Sequence, residues 1–197
     1  CTLQDEFDGN CAQTGITRYS PLRDKATRPL KAGHRQQYGV NVSGGNELLT
    51  YYLSADRESE DGVFRLPAFE EDSIRALRGS VRQSQIRPNA LQKTSLRLNL
   101  GANVARNAEL KASVGYVSSN VRLIENDNSF LTVTGSGEAS SYLPDYNRGW
   151  YYTPAELFAA GNTQAVERFT GGLTSSWRPS AWLSLRGALG YDVVNRV

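Results

Sequence analysis

The run Ser95-Leu96-Arg97-Leu98-Asn99-Leu100-Gly101-Ala102-Asn103-Val104 decides the fold. Every second residue (Leu96, Leu98, Leu100, Ala102, Val104) is apolar, and those between (Ser95, Arg97, Asn99, Gly101, Asn103) are polar or small. Side chains of an extended strand point alternately to its two faces, so the pattern predicts a strand with one apolar and one polar face. After the short polar turn Arg106-Asn107-Ala108 the alternation resumes over residues 110–117. There Leu110, Ala112, Val114 and Tyr116 oppose Lys111, Ser113 and Gly115. Two such runs joined by so short a turn predict a β-hairpin.

Two further hairpins follow the same plan. Residues 35–44 carry Tyr38, Val40 and Val42 on one face, and residues 47–57 return with Leu49, Tyr51, Leu53 and Ala55. Gly44-Gly45-Asn46 supplies the positive-φ tolerance a tight turn requires. The third pair is 167–177 and 182–195, with Leu183, Leu185, Leu189, Tyr191 and Val193 aligned in the last run. Its turn is read as Arg178-Pro179-Ser180-Ala181, because Pro179 lacks the backbone donor a ladder needs. The connections between hairpins, 58–90 and 122–165, are far longer. Such loops are uncommon in compact soluble domains, whereas outer-membrane barrels combine short periplasmic turns with long extracellular loops. The second long connection is expected to hold one short helix. Thr153 is its N-cap, Pro154 and Glu156 lie in its first turn, Leu157-Phe158-Ala159-Ala160 continue it, and Gly161 ends it.

Composition fits this reading. Among 197 residues there is no Met, so Cys1 is read as a cut or processed end. No signal peptide is visible, and no run approaches the roughly 20 apolar residues a membrane helix needs. A mean hydropathy of -0.48 would ordinarily suggest a soluble chain, but alternating lipid-facing and lumen-facing residues keep the average of a membrane barrel low. The 22 basic and 20 acidic residues are interspersed for a net charge of +2, without the basic stripe of a nucleic-acid binder.

The two faces separate the fold classes. In a soluble sandwich the apolar faces would meet in a shared core; in a membrane barrel they face lipid and the polar faces line the lumen. Arg97, Asn99, Lys111 and Arg186 on one side, against Leu, Val, Ala and Tyr on the other, favour the barrel. Trp177, at the end of its run beside a short turn, suits an interfacial aromatic belt; the alternative is an ordinary core aromatic at a sheet end. The fold expected is therefore all-β, an antiparallel transmembrane β-barrel fragment of about six strands in three hairpins. Strands outside this sequence would complete it, since open edges in lipid are costly.

The order of the motifs adds a resemblance. His34-Arg35-Gln36-Gln37-Tyr38-Gly39-Val40-Asn41-Val42-Ser43-Gly44-Gly45, then Tyr51-Tyr52-Leu53-Ser54 and Glu60-Asp61-Gly62-Val63, resemble the first barrel hairpins of SusC/RagA-like TonB-dependent receptors. So does Ser95-Leu96-Arg97-Leu98-Asn99-Leu100. Glu167-Arg168-Phe169-Thr170-Gly171-Gly172-Leu173, with Trp182-Leu183-Ser184 and Gly190-Tyr191-Asp192, is similar to a later hairpin of the same kind. The resemblance runs from about Gly33 onward. It implies a barrel of about 22 strands whose lumen holds an N-terminal plug domain. It further implies a location in the cell outer membrane, contact with outer-membrane lipid, and active import of a bulky nutrient such as a glycan or peptide. Energy would come through TonB acting on the plug, and a SusD-like surface lipoprotein would be a partner. Residues 1–197 would then be part of the barrel domain, without the plug and the remaining strands. A passive porin-like barrel and a soluble carbohydrate-binding β-sandwich are the rival readings.

The chain offers no catalytic constellation, and neither an enzymatic activity nor a cofactor is expected. Its lone histidine, His34, leaves a Cys/His zinc site short of a ligand. Cys1 and Cys11 either form a small disulfide loop in an oxidising compartment or are two free thiols. Tyr142, Tyr146, Trp150, Tyr151 and Tyr152 make an aromatic-rich loop, either stacking on a ligand or packing on the barrel rim. Glu58-Ser59-Glu60-Asp61 and Glu70-Glu71-Asp72 are read as solvated loop charge rather than a cation site.

Overall fold

Each alternating run becomes a strand, and most strands outrun their expected ends. The computed structural model describes residues 3–12, 23, 25, 28–124 and 154–197. The strands are β1 (His34–Gly45), β2 (Leu49–Asp61), β3 (Ala90–Ala105), β4 (Ala108–Leu123), β5 (Asn162–Ser180) and β6 (Leu183–Arg196). They form one six-stranded sheet in the order β1-β2-β3-β4-β5-β6, each strand antiparallel to its sequence neighbour. Among the described residues the sheet is open, with β1 and β6 as its edges.

The tight ends are built by local chemistry. Gly45, at φ 153, turns the chain out of β1. Asn46 then accepts at Oδ1 from the N–H groups of Leu48 and Leu49, each at 2.9 Å. Glu47 and Leu48, expected to start the return strand, lie in this turn instead. The turns are also tied sideways. Asn103 Nδ2 donates to the Glu47 carbonyl at 2.7 Å, and Asn107 Nδ2 to the Arg178 carbonyl at 3.0 Å. At the third hairpin the expected turn is corrected: β5 continues past Pro179 to Ser180, and the reversal falls on Ala181 and Trp182. The paired register jumps from Trp177↔Leu185 to Ser180↔Leu183, so Pro179 sits in the irregularity and is not asked for a ladder bond.

One helix was expected, and the described residues hold more: α1 (Leu3–Phe7), α2 (Ala68–Arg78), α3 (Gln83–Ile86) and α4 (Pro154–Ala159). Only α4 matches the reading from sequence; its proposed cap, Thr153, lies outside the described residues. Helix α2 starts at Pro67 without a side-chain cap, which is why no capping signal marks it. Its other signals are legible. Glu70 and Glu71 lie in the first turn and Arg75 and Arg78 in the last, as the helix dipole favours. Gly79, at φ 76, ends it and donates to the Arg75 carbonyl at 2.8 Å.

The chain divides into two compact units. The first contains Cys1–Leu30, Arg65–Ile86 and Asn126–Ala159. Here Leu66, Leu157 and Phe158 are buried, and Gln85, itself buried, donates from Nε2 to the Ala155 carbonyl at 3.0 Å, tying α3 to α4. The second, Lys31–Phe64, Arg87–Glu125 and Ala160–Val197, carries the sheet. At the long-connection end of the sheet, Arg122 donates from Nε to the Pro88 carbonyl at 3.0 Å and from Nη2 to the Arg87 carbonyl at 2.7 Å. Asn89 Oδ1 accepts from the Ile124 N–H at 3.0 Å.

The acidic stretches are also relocated. Glu58, Ser59, Glu60 and Asp61 belong to β2 rather than to a loop, and Glu58 is buried against Arg35 at 2.6 Å. Glu70, Glu71 and Asp72 sit at the start of α2, where Glu71 pairs with Arg65 and Arg75.

Candidate functional site

The register resolves the sheet into two chemically distinct faces. Residues directly opposite on antiparallel strands share a face, so each row across the six strands can be followed from β1 to β6. Through Leu98 runs the row Val42, Leu53, Leu98, Val114, Gly171, Tyr191. Toward the long connections the next row of this face is Val40, Ala55, Leu96, Tyr116, Phe169, Val193. Toward the short turns come Gly44, Tyr51, Leu100, Ala112, Leu173, Leu189. Leu49, Ala102 and Leu110 extend it further, and Trp177 and Leu185 close it. None of these rows carries a charge.

The opposite face is a different surface. Its row through Asn99 is Ser43, Tyr52, Asn99, Ser113, Gly172, Gly190, and its row through Arg97 is Asn41, Ser54, Arg97, Gly115, Thr170, Asp192. The ion pairs of the described strands lie here. Arg168 bonds Asp192 from Nε at 2.9 Å, Lys111 meets Glu109 at 2.9 Å, and Arg35 meets Glu58. A shallow concavity of about 420 Å³ opens on this face, with Thr50, Tyr52, Asn99, Lys111, Ser113 and Thr174 as its polar lining. The face is crowded as well as hollow. A Cβ on Gly101 would meet Thr50 Oγ1 at 2.7 Å, one on Gly115 would meet Thr170 Oγ1 at 2.6 Å, and one on Gly172 would meet Ser113 Oγ at 2.8 Å. Glycine at these positions lets neighbouring strands bring their polar side chains close on the Asn99 side.

The apolar face is not covered by the described residues. Val40 (63% exposed), Leu53 (48%), Phe169 (42%), Leu189 (74%) and Tyr191 (62%) remain open. Phe169 and Tyr191 pack edge to face at 6.2 Å and 62° beside Gly171, filling the space its missing side chain leaves. This contiguous surface far exceeds the scattered apolar residues normal for a protein exterior.

Its borders are sharp. Directly beyond Leu96 the same face continues as Tyr38, Arg57, Thr94, Ser118, Glu167, Asn195. Arg57 bonds Thr94 Oγ1 at 2.6 Å, and Tyr116 turns its hydroxyl to Glu167 at 3.3 Å. At the short-turn end the band stops at Trp177, half exposed, and Trp182 in the adjoining turn is 84% exposed.

Of the residues singled out from sequence, Leu98 and Asn99 lie on opposite faces as read, and Trp177 lies at the band's edge. Tyr142, Tyr146, Trp150, Tyr151 and Tyr152 lie outside the described residues. Cys11 is disulfide-bonded, and Cys1 lies outside the described residues. Among the described residues no three His, Cys, Asp or Glu side chains gather as a metal site would require.

Reading from sequence missed the border row and an exchange of faces beyond it. On β3, Leu91 is an odd number of residues from Leu96, and on β4 Val121 and Leu123 are odd steps from Tyr116, so all three fall on the Asn99 face. Gln92, Asn120 and Arg122 take their places on the Leu98 face. That odd spacing was the signal available in the sequence. No family model matches the chain, and no curated protein matches it.

Proposed function

We propose that this sheet is part of the wall of an outer-membrane β-barrel belonging to an active transporter of the TonB-dependent, SusC/RagA-like kind. Its uncovered face would lie against lipid and its Asn99 face would line the lumen. The observation that carries the reading is the bounded apolar band. Between Phe169 and Trp177, a run of about 9 residues in the range of a tilted spanning strand, β5 carries no charge on the Leu98 face. The band ends in a row of Arg57, Glu167 and hydroxyls on one side and in two tryptophans on the other. Those borders suit the interfaces of a bilayer, where indole rings sit at headgroup level and long side chains reach water.

Two further features support it. The three tight turns lie at one end of the sheet and both long connections at the other, the asymmetry of barrels with short periplasmic turns and long outer loops. The crowded face, where a shallow concavity opens, is the polar one. A sandwich would instead need a second sheet on the Leu98 face. In the transporter reading strands outside this sequence close the barrel, TonB acts through a plug, a SusD-like surface lipoprotein is a partner, and the solute is bulky. The test is uptake by intact cells carrying the full-length gene. Accumulation of the solute should stop when the proton gradient is collapsed or TonB is deleted. Uptake unchanged under both treatments would leave a passive pore.

A further inference from the structure

The border row holds a cation that no carboxylate on its own face neutralises. Arg57 is exposed on the Leu98 face, one row beyond Ala55 and Leu96. Its guanidinium is already placed: Nη1 donates to Thr94 Oγ1 at 2.6 Å and Nη2 to Gln92 Oε1 at 3.3 Å. Both acceptors are neutral, so the bonds orient the fork without cancelling its charge, and its other N–H groups are left for a ligand. The nearest carboxylates on this face of the described strands stand far off. Asp61 is four residues further along β2, about 13 Å, and Glu167 is three strands across, about 14 Å, both beyond the screening length of about 8 Å at physiological salt. Asp56 and Glu58, next to Arg57 but one, project from the opposite face, where Arg35 and Lys93 offset Glu58 and Glu60. Arg122, the other cation on the Leu98 face of the described strands, is bound to the Pro88 and Arg87 carbonyls.

The surface around Arg57 has two halves. Toward the short turns it is Val40, Ala55 and Leu96, the last apolar row. Toward the long connections it is Gln36, Ser59, Gln92 and Asn120, one row of amides and a hydroxyl. The exchange of faces on the central strands makes that half polar. Gln92 and Asn120 come to the Leu98 side, while Leu91, Val121 and Leu123 turn to the other and line a cleft with Val63. No register shift separates these residues from the apolar band, so the boundary at Arg57 is written in the residues and not in a bulge. A wall face that meets lipid below this line and water above it needs that change of chemistry.

We infer that Arg57 seats the phosphate of an anionic lipid, whose acyl chains lie along Val40, Ala55 and Leu96 and whose headgroup meets the amides beyond. The inference rests on the barrel reading, in which this row stands at the bilayer surface on the long-connection side, and it adds which lipid the wall selects there. Phosphate suits the fork, because planar guanidinium N–H groups can pair two of its oxygens at once. The apolar row explains why the anion carries chains. A free phosphate gains Arg57 alone, whereas a lipid also buries apolar surface beside it.

The experiment uses the full-length protein in dodecyl maltoside micelles, with bound probe counted by native mass spectrometry. The probes are dioctanoyl phosphatidate, dioctanoyl phosphatidylcholine and inorganic phosphate. Phosphatidate should bind at least about tenfold more tightly than phosphatidylcholine, and inorganic phosphate more weakly than either. Arg57→Gln should remove most of that preference, and Arg57→Lys, which keeps the charge without the fork, should remove part of it. Thr94→Val, which frees the guanidinium, should weaken phosphatidate about threefold, and it keeps the test valid where Arg57→Gln misfolds. Arg97→Gln, the same change of charge on the opposite face, should leave binding unaltered. Equal binding of the two lipids, a preference indifferent to Arg57 and Thr94, or one lost equally in Arg97→Gln would overturn the inference. Inorganic phosphate binding as tightly as phosphatidate would overturn the lipid as the occupant. Any of these results in a protein that inserts and transports would leave the barrel standing. Arg57-dependent selection by a protein whose uptake ignores TonB would support the seat and remove the active transporter.

Discussion

An arginine scan down the Leu98 face of β3 tests the lipid assignment directly. The band on β5 runs eight residue steps, from Phe169 to Trp177. At about 3.3 Å per residue and a tilt of about 40°, that is roughly 20 Å of height, close to the apolar belt of such barrels once side chains are added. Leu100 is near the middle of the rows from Leu96 to the end of β3, and Leu98 is one row above it. That offset amounts to about 5 Å of depth on the same geometry. Arginine at the midplane of a barrel's lipid face costs about 2–4 kcal/mol, falling to about 0–1 kcal/mol at the interfaces. Leu100→Arg should therefore cost about 3 kcal/mol, Leu98→Arg about 2–3 kcal/mol, and Thr94→Arg less than about 1 kcal/mol. Asn99→Arg, on the opposite face, should also cost less than about 1 kcal/mol. The assay is a denaturant titration of the full-length protein folded into bilayers, following the shift in tryptophan emission. Equal costs at positions 98 and 99, or a profile that does not fall from Leu100 to Thr94, would refute the assignment. A core packed against a second sheet has no reason to show that graded depth dependence.

Other outcomes follow from local geometry. Gly45→Ala should destabilise the first hairpin by about 1–3 kcal/mol, because a Cβ there would collide with the Leu49 carbonyl oxygen and lie 2.7 Å from Thr50 Cα; the same titration reads it, and an unchanged midpoint would be evidence against the turn. Asn107→Ala removes the bond to the Arg178 carbonyl and should cost about 1 kcal/mol, with faster amide exchange confined to the short-turn rim. Arg122→Ala frees the Arg87 and Pro88 carbonyls and should raise exchange across residues 87–89 while leaving the turns protected. Peptide mapping of the non-reduced protein should recover Cys1 linked to Cys11, a bond that contributes about 2–3 kcal/mol in the chain-entropy picture; complete alkylation of both without reductant would exclude it.

The sequence by itself determined the strands and their faces. Alternation has a period of two residues and belongs to the backbone, so Leu96, Leu98 and Leu100 had to share a side however the strand packed. That three short turns join these runs was legible for a similar reason, since a reversal between adjacent runs must be made by the residues between them, but at the third the reversal falls on Ala181 and Trp182 and not on Arg178 to Ala181. Strand ends were less legible. Glu58 to Asp61 look like a solvated acidic loop until β1 is laid alongside and Arg35 meets Glu58. Helix α2 escaped because Pro67 gives no side-chain capping bond, although Gly79 and the charge order were present.

Only the tertiary structure decided which rows lie side by side. Register joins Arg57, Thr94 and Glu167 into one border, although they are scattered along the chain. It also gathers Leu91, Val121 and Leu123 beside Val63 in a cleft. Alternation fixes direction within a strand, but position across a sheet depends on hydrogen-bonded partners distant in sequence, and no local pattern encodes that distance.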